Sequence, residues 1–96
     1  MLVLVTYDVS TETPVGRKRL NKVAKKCTAY GQRVQNSVFE CNIDWSQFVA
    51  FQNDLKGIIN PSEDSLRFYN LGNAYKSKVI HIGVKPSIPL EGELIL

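Results

Sequence analysis

Residues Leu2 through Val9, LVLVTYDV, constrain this chain more than any other stretch. The β-branched and aromatic content of this short run fits a strand far better than a helix of that length. Alternation sets Leu2, Leu4, Thr6 and Asp8 on one side, with Val3, Val5, Tyr7 and Val9 on the other. Both sides are apolar, which predicts a central strand covered on both faces. Its far end delivers a single carboxylate, Asp8, into a polar turn at 10–14. That junction is where chemistry is expected.

A chain of 96 residues makes one domain with a single, modest core. Small chains with apolar sheet faces commonly bury them by pairing, and two-fold pairs are the most frequent solution. No apolar run approaches a membrane span and no signal pattern opens the chain, so cytoplasm is the default expectation and no membrane partner is expected. Cys27 and Cys41 lack metal-ligand spacing and fall within apolar patterns, so they read as core thiols rather than a disulfide. His81 is the only histidine, leaving too few ligands for a His/Cys zinc site.

Charge is unevenly spread. Between Thr13 and Gln35 lie Arg17, Lys18, Arg19, Lys22, Lys25, Lys26 and Arg33 with no acid, a stretch of +7 in a chain of net charge +3. The remainder is therefore acidic. A basic surface on an acidic body suits a polyanion such as nucleic acid, and it equally suits a solvated helix face.

Thr13 is placed to cap a helix with Pro14 at its first position. Leu20, Val23, Ala24 and Cys27 then supply one buried stripe, and Gly31 stops the helix after Tyr30. Lys18, Lys22 and Lys25 lie opposite that stripe, while Arg17 and Arg19 fall on its shoulders near the Asp8 turn. Arg33 to Ile43 reads as one second strand, with Ser37, Phe39, Cys41 and Ile43 on one side and Val38, Glu40 and Asn42 on the other. Asp44 and Gln47 form a capping box for a second helix, whose stripe is Phe48, Phe51, Leu55 and Ile58. Trp45 at its entry is placed to shield the edge of the core. Asp64 to Leu71 makes a third strand and Lys78 to Gly83 a fourth. This linear order, β-α-β-α-β-β, departs from the β-α-β-β-α-β of a ferredoxin-like fold, although two helices covering one sheet face is that arrangement in outline.

The domain is expected to span 1–84. Beyond it, 85–96 contains Pro86 and Pro89, which exclude helix or interior strand, yet the chain closes on Glu93 to Leu96, GELIL with its preceding Gly. That arm is expected to add a short strand to a sheet edge, its own or a partner's.

Candidate chemistry centres on Asp8. A carboxylate at a strand end is more often a turn residue, but it also suits Mg²⁺ or another hard divalent cation, which needs few protein carboxylates. A two-fold pair could bring two copies of Asp8 together around such an ion, which would then support phosphodiester hydrolysis. Arg17, Arg19 and Arg33 offer planar donors to phosphate. Ser37 could orient substrate, and Phe39 could stack on a base, though a core role for that ring is the commoner outcome. Glu40 and His81 are further candidates to assist, and sequence places neither beside Asp8. No nucleophile triad, phosphate loop or dinucleotide fingerprint occurs.

Three stretches at matching spacing, LVTYDVS, YGQRVQNSVFEC at 30–41 and EDSLRFYNLG at 63–72, resemble the small CRISPR-associated adaptation protein known as the second Cas protein, over nearly the whole chain. TETPVGRKRLNKVAKKC at 11–27 looks like the branch found with type I-C systems. The resemblance implies an α+β ferredoxin-like sandwich: an antiparallel sheet, two helices on one face, and dimerisation through the other. It implies that 33–43 is bent and serves as two strands, and that the C-terminal arm joins the partner's sheet. It implies a homodimer acting with a CRISPR integrase subunit on duplex DNA or RNA during spacer acquisition. Many family members are described as Mg²⁺-dependent endonucleases. The family's metal and catalytic aspartate falls on Asp8, and its nucleic-acid-binding positions on Arg17, Arg19, Arg33, Ser37 and Phe39. The competing function is a non-catalytic dimeric scaffold bridging integrase subunits. A small RNA-binding module is disfavoured because stacking aromatics on an open sheet face are not evident.

Overall fold

In the computed structural model, which describes residues 1–84, the chain runs β1 (Leu2–Asp8), α1 (Pro14–Tyr30), β2 (Gln32–Gln35), β3 (Val38–Asn42), α2 (Trp45–Lys56) and β4 (Ser65–Gly72). The sheet order is β2-β3-β1-β4, and each neighbouring pair is antiparallel. This is the ferredoxin-like α+β arrangement, with β1 paired along both edges as the expected central strand.

The expected single strand at 33–43 is two strands joined by a turn at Asn36–Ser37. Periodicity is blind to that turn for a geometric reason. Gln32 pairs with Glu40 and Arg33 with Phe39, so partners share parity and the in/out alternation passes through the hairpin unbroken. A register shift between Arg33 and Gln35 absorbs the tight turn. The element order is accordingly β-α-β-β-α-β. The family resemblance was the better guide here.

Both helices lie on one face, where Val3, Val5 and Tyr7 meet Val23, Cys27, Phe39, Cys41, Phe48, Phe51 and Leu55. Phe68 closes this core, edge-on to Phe48 and Phe51 at 5.7 Å from each. Caps form as their residues dictate. Thr13 Oγ1 accepts from the Gly16 amide at 3.1 Å, and Asp44 and Gln47 exchange bonds of 2.7 and 3.0 Å. Gly31 is obligatory for another reason: a Cβ there would collide with the Glu40 carbonyl and the Cys41 sulfur. Both cysteines are free and buried, and burial pushes each thiol up to about 12.

Three expectations are corrected. The second face of β1 is only partly covered: Leu2 is buried, but Leu4 and Thr6 are half-buried, with half-buried Val38 and Glu40 and exposed Arg67 and Tyr69 as their register partners. Lys78 to Gly83 forms no strand. It alternates correctly but has no strand beside it among the described residues, and Ile80, Ile82 and Val84 stand 84, 90 and 93% exposed. Trp45 does not shield the core; it is 65% exposed and touches Phe48 by an edge. The expected arm at 85–96 lies outside the described residues.

Candidate nucleic-acid interface

Antiparallel pairing brings several segments to one end of the sheet. Asp8 is exposed at the end of β1 and registers with Ser65, the first residue of β4. The β2–β3 turn arrives at the same end, because the Tyr7 amide donates to the Ser37 carbonyl at 3.2 Å. α1 begins there too. Arg17 is exposed and donates to the Thr11 carbonyl at 3.1 Å, which holds its guanidinium over the loop leaving Asp8. Asp8, Arg17, Arg19 and Ser37 thus share one end of the sheet.

Arg19 is at that end but is not a free cation. Its Nε donates to Asp64 Oδ2 at 2.8 Å, and its NH2 group reaches Glu63 at 3.3 Å. The Asp64 side chain is fully buried and the Arg19 side chain nearly so, at 13% exposure. Asp64 also accepts from the Ser10 amide at 3.0 Å and the Asn60 amide at 2.8 Å. The Arg19 hydrogen bond, aided by these amides, outweighs burial and holds the Asp64 carboxyl below the usual carboxylate range. Sequence reading took Asp64 for an ordinary strand residue. Its partners sit up to 54 positions away, so no local signal marks it.

The other candidates lie elsewhere. Phe39 is fully buried, 6.2 Å from Tyr7 in the core, with no face free to stack on a base. Arg33 caps that ring at 5.1 Å from edge strand β2. Glu40 registers with Leu4, four residues and roughly 13 Å along β1 from Asp8, so within one protomer it is no second ligand. Burial raises the Glu40 carboxyl while His81 nearby lowers it. Lys22, Lys25 and Lys26, with Ala29 and Ile58, line a groove between α1 and the end of α2; Lys26 is engaged by Asp54 at 3.7 Å. Among the described residues, no three His, Cys, Asp or Glu side chains gather as a metal cage.

The family model described as CRISPR associated protein Cas2 matches residues 1–79. The chain belongs to the Cas2 family. It is 60% identical over 95 residues to a protein of Halalkalibacterium halodurans named CRISPR-associated endonuclease Cas2, covering 99% of each chain. It is 57% identical over 96 residues to one of Chlorobaculum tepidum named CRISPR-associated endoribonuclease Cas2, covering 100% of each. Among solved structures, Streptococcus pyogenes Cas2 at pH 6.5 superposes with a TM-score of 0.75 at 57% identity, covering 86% of this chain and 100% of that one. The Cas2 fold and the β2–β3 hairpin implied by the resemblance are therefore those of this chain.

Proposed function

We propose that this Cas2 chain is a metal-dependent endonuclease cleaving phosphodiester bonds of DNA or RNA in CRISPR adaptation, as a homodimer to which each protomer contributes Asp8. The observation that carries this reading is one exposed carboxylate at the end of a central strand, set beside the start of a basic helix that carries no acid. The names of the H. halodurans and C. tepidum relatives support it.

Mg²⁺ or another hard divalent cation takes oxygen ligands and retains waters and substrate phosphate, so one or two exposed carboxylates suffice. Asp8 fits that requirement. When bound, the ion activates water and offsets charge on the phosphate. The chain's residues divide the remaining work. Two copies of Asp8 brought together would repel unless a cation offset their charge, which would couple pairing to metal binding. Arg17 engages a phosphate oxygen pair, and Ser37 orients the substrate from the hairpin turn. Arg33 adds backbone contact from the edge strand.

Asp8→Ala and wild type, assayed on duplex DNA and RNA with Mg²⁺ and with chelator, test this directly. Cleavage that needs both Asp8 and metal supports it; full activity in Asp8→Ala removes Asp8 from the mechanism.

A second reading is a non-catalytic dimeric scaffold that holds duplex DNA for the CRISPR integrase subunit in the cytoplasm. The partly covered sheet face favours it, as do the exposed Ile80, Ile82 and Val84 at alternate positions, the spacing of one side of a strand. Spacer acquisition that survives Asp8→Ala but fails in Ile80→Asp/Ile82→Asp would select the scaffold.

A further inference from the structure

We infer that Asp64 is the positioning residue for Asp8: its buried carboxylate ties the three segments that meet around that acid and sets where Asp8 presents its oxygens to a metal. This rests on the metal-binding part of the reading above.

The geometry is specific. Asp64 Oδ1 accepts from the amide of Ser10, two residues beyond Asp8. Its Oδ2 accepts from the Asn60 amide and from Arg19 on α1. The next residue, Ser65, is the register partner of Asp8 across β4. One side chain with no solvent exposure thus joins the exit of β1, the second turn of α1 and the loop entering β4. The Asp8 side chain is exposed, and its backbone is held by the pairing with Ser65. The strand pairing stops at Asp8, and the loop beyond is pinned back through Ser10. A charged acceptor in this role binds amides more strongly than a neutral one. Groups bonded directly to a metal ligand commonly govern metal affinity 10- to 100-fold; Asp64 acts one step further out, through the Ser10 amide, so the lower end of that range is expected.

Arg19 completes the device. Its guanidinium neutralises the buried carboxylate, so Asp64 stays ionised as an acceptor for both amides. That explains why this arginine, alone in the basic stretch, has its side chain turned into a buried acid. It acts on the site through Asp64.

The test is Mg²⁺ titration of the full-length protein, followed at the amide resonances of Asp8 and Ser10, with hydrogen exchange at Ser10. Asp64→Asn keeps shape and removes charge; Arg19→Gln leaves the carboxylate and removes its partner. The expected result is a roughly tenfold rise in half-saturating Mg²⁺ for Asp64→Asn with faster Ser10 exchange, and a smaller rise for Arg19→Gln, each in a folded protein by circular dichroism. Should Asp64→Asn fail to fold, Arg19→Gln carries the test alone. Unchanged Mg²⁺ response and Ser10 exchange in the folded variants would overturn the inference, as would a wild type whose Asp8 and Ser10 amides ignore Mg²⁺. A purely structural role lowers the folded fraction without moving the Mg²⁺ midpoint. Wild type that binds Mg²⁺ this way but cleaves nothing sinks the nuclease reading and leaves this one standing.

Discussion

Arg19 Nε lies 2.8 Å from Asp64 Oδ2, joining α1 to the residue just before β4 across 45 positions of sequence. The carboxylate is held by two amides besides, so it is paired and hydrogen-bonded in the way a buried charge requires. Removing it leaves two amides unsatisfied and the Arg19 guanidinium with only its longer contact to Glu63. Asp64→Ala is expected to lower stability by about 3 kcal/mol, read as a urea midpoint shift at pH 7.

The same pair sets a pH dependence. The folded Asp64 carboxyl titrates below its ordinary value, so the folded state binds fewer protons there than the unfolded chain. Its contribution is fully present above the unfolded value near pH 4 and is lost as pH falls through the folded one. Urea midpoints of wild type and Asp64→Asn should differ at pH 7 and converge in acid. A constant difference down to about pH 2 would contradict this.

Phe39 separates packing from binding. It is fully buried under Arg33, so Phe39→Leu should cost about 1–2 kcal/mol of stability while leaving DNA affinity unchanged in the folded protein. Arg17→Ala should do the reverse: unaltered stability, weaker DNA binding, and a salt dependence shallower by about one counterion. Fluorescence anisotropy across a salt series distinguishes them.

The thiols should be silent. With Cys27 and Cys41 buried and pushed up to about 12 by desolvation, no thiolate is available at pH 8. Alkylation should proceed only at the rate of global unfolding. Fast labelling of native protein would show that the α1–β3 contact opens locally.

What the sequence revealed follows the range of the interactions involved. Thr13, Pro14 and Gly31 bound α1 as read, and Asp44 with Gln47 starts α2 as read, because caps involve residues three or four apart. The hairpin at Asn36–Ser37 was hidden because the register shift between Arg33 and Gln35 leaves the outer pairs, Gln32 with Glu40 and Arg33 with Phe39, at matching parity. Lys78 to Gly83 carries a strand's alternation, but a strand exists only beside another, which alternation cannot supply. That Asp8, Arg17 and Ser37 lie at one end of the sheet was legible from the sequence. The engagement of Arg19 was not, since Asp64 is remote in sequence.

Should the sheet face that leaves Leu4, Glu40 and Tyr69 partly bare pair two copies of the chain as proposed, dosage becomes a control variable. If catalysis takes one acid from each of two chains, output at high dilution scales with the square of the amount made. A cell holding this gene at low expression then keeps the enzyme switched off with no inhibitor at all.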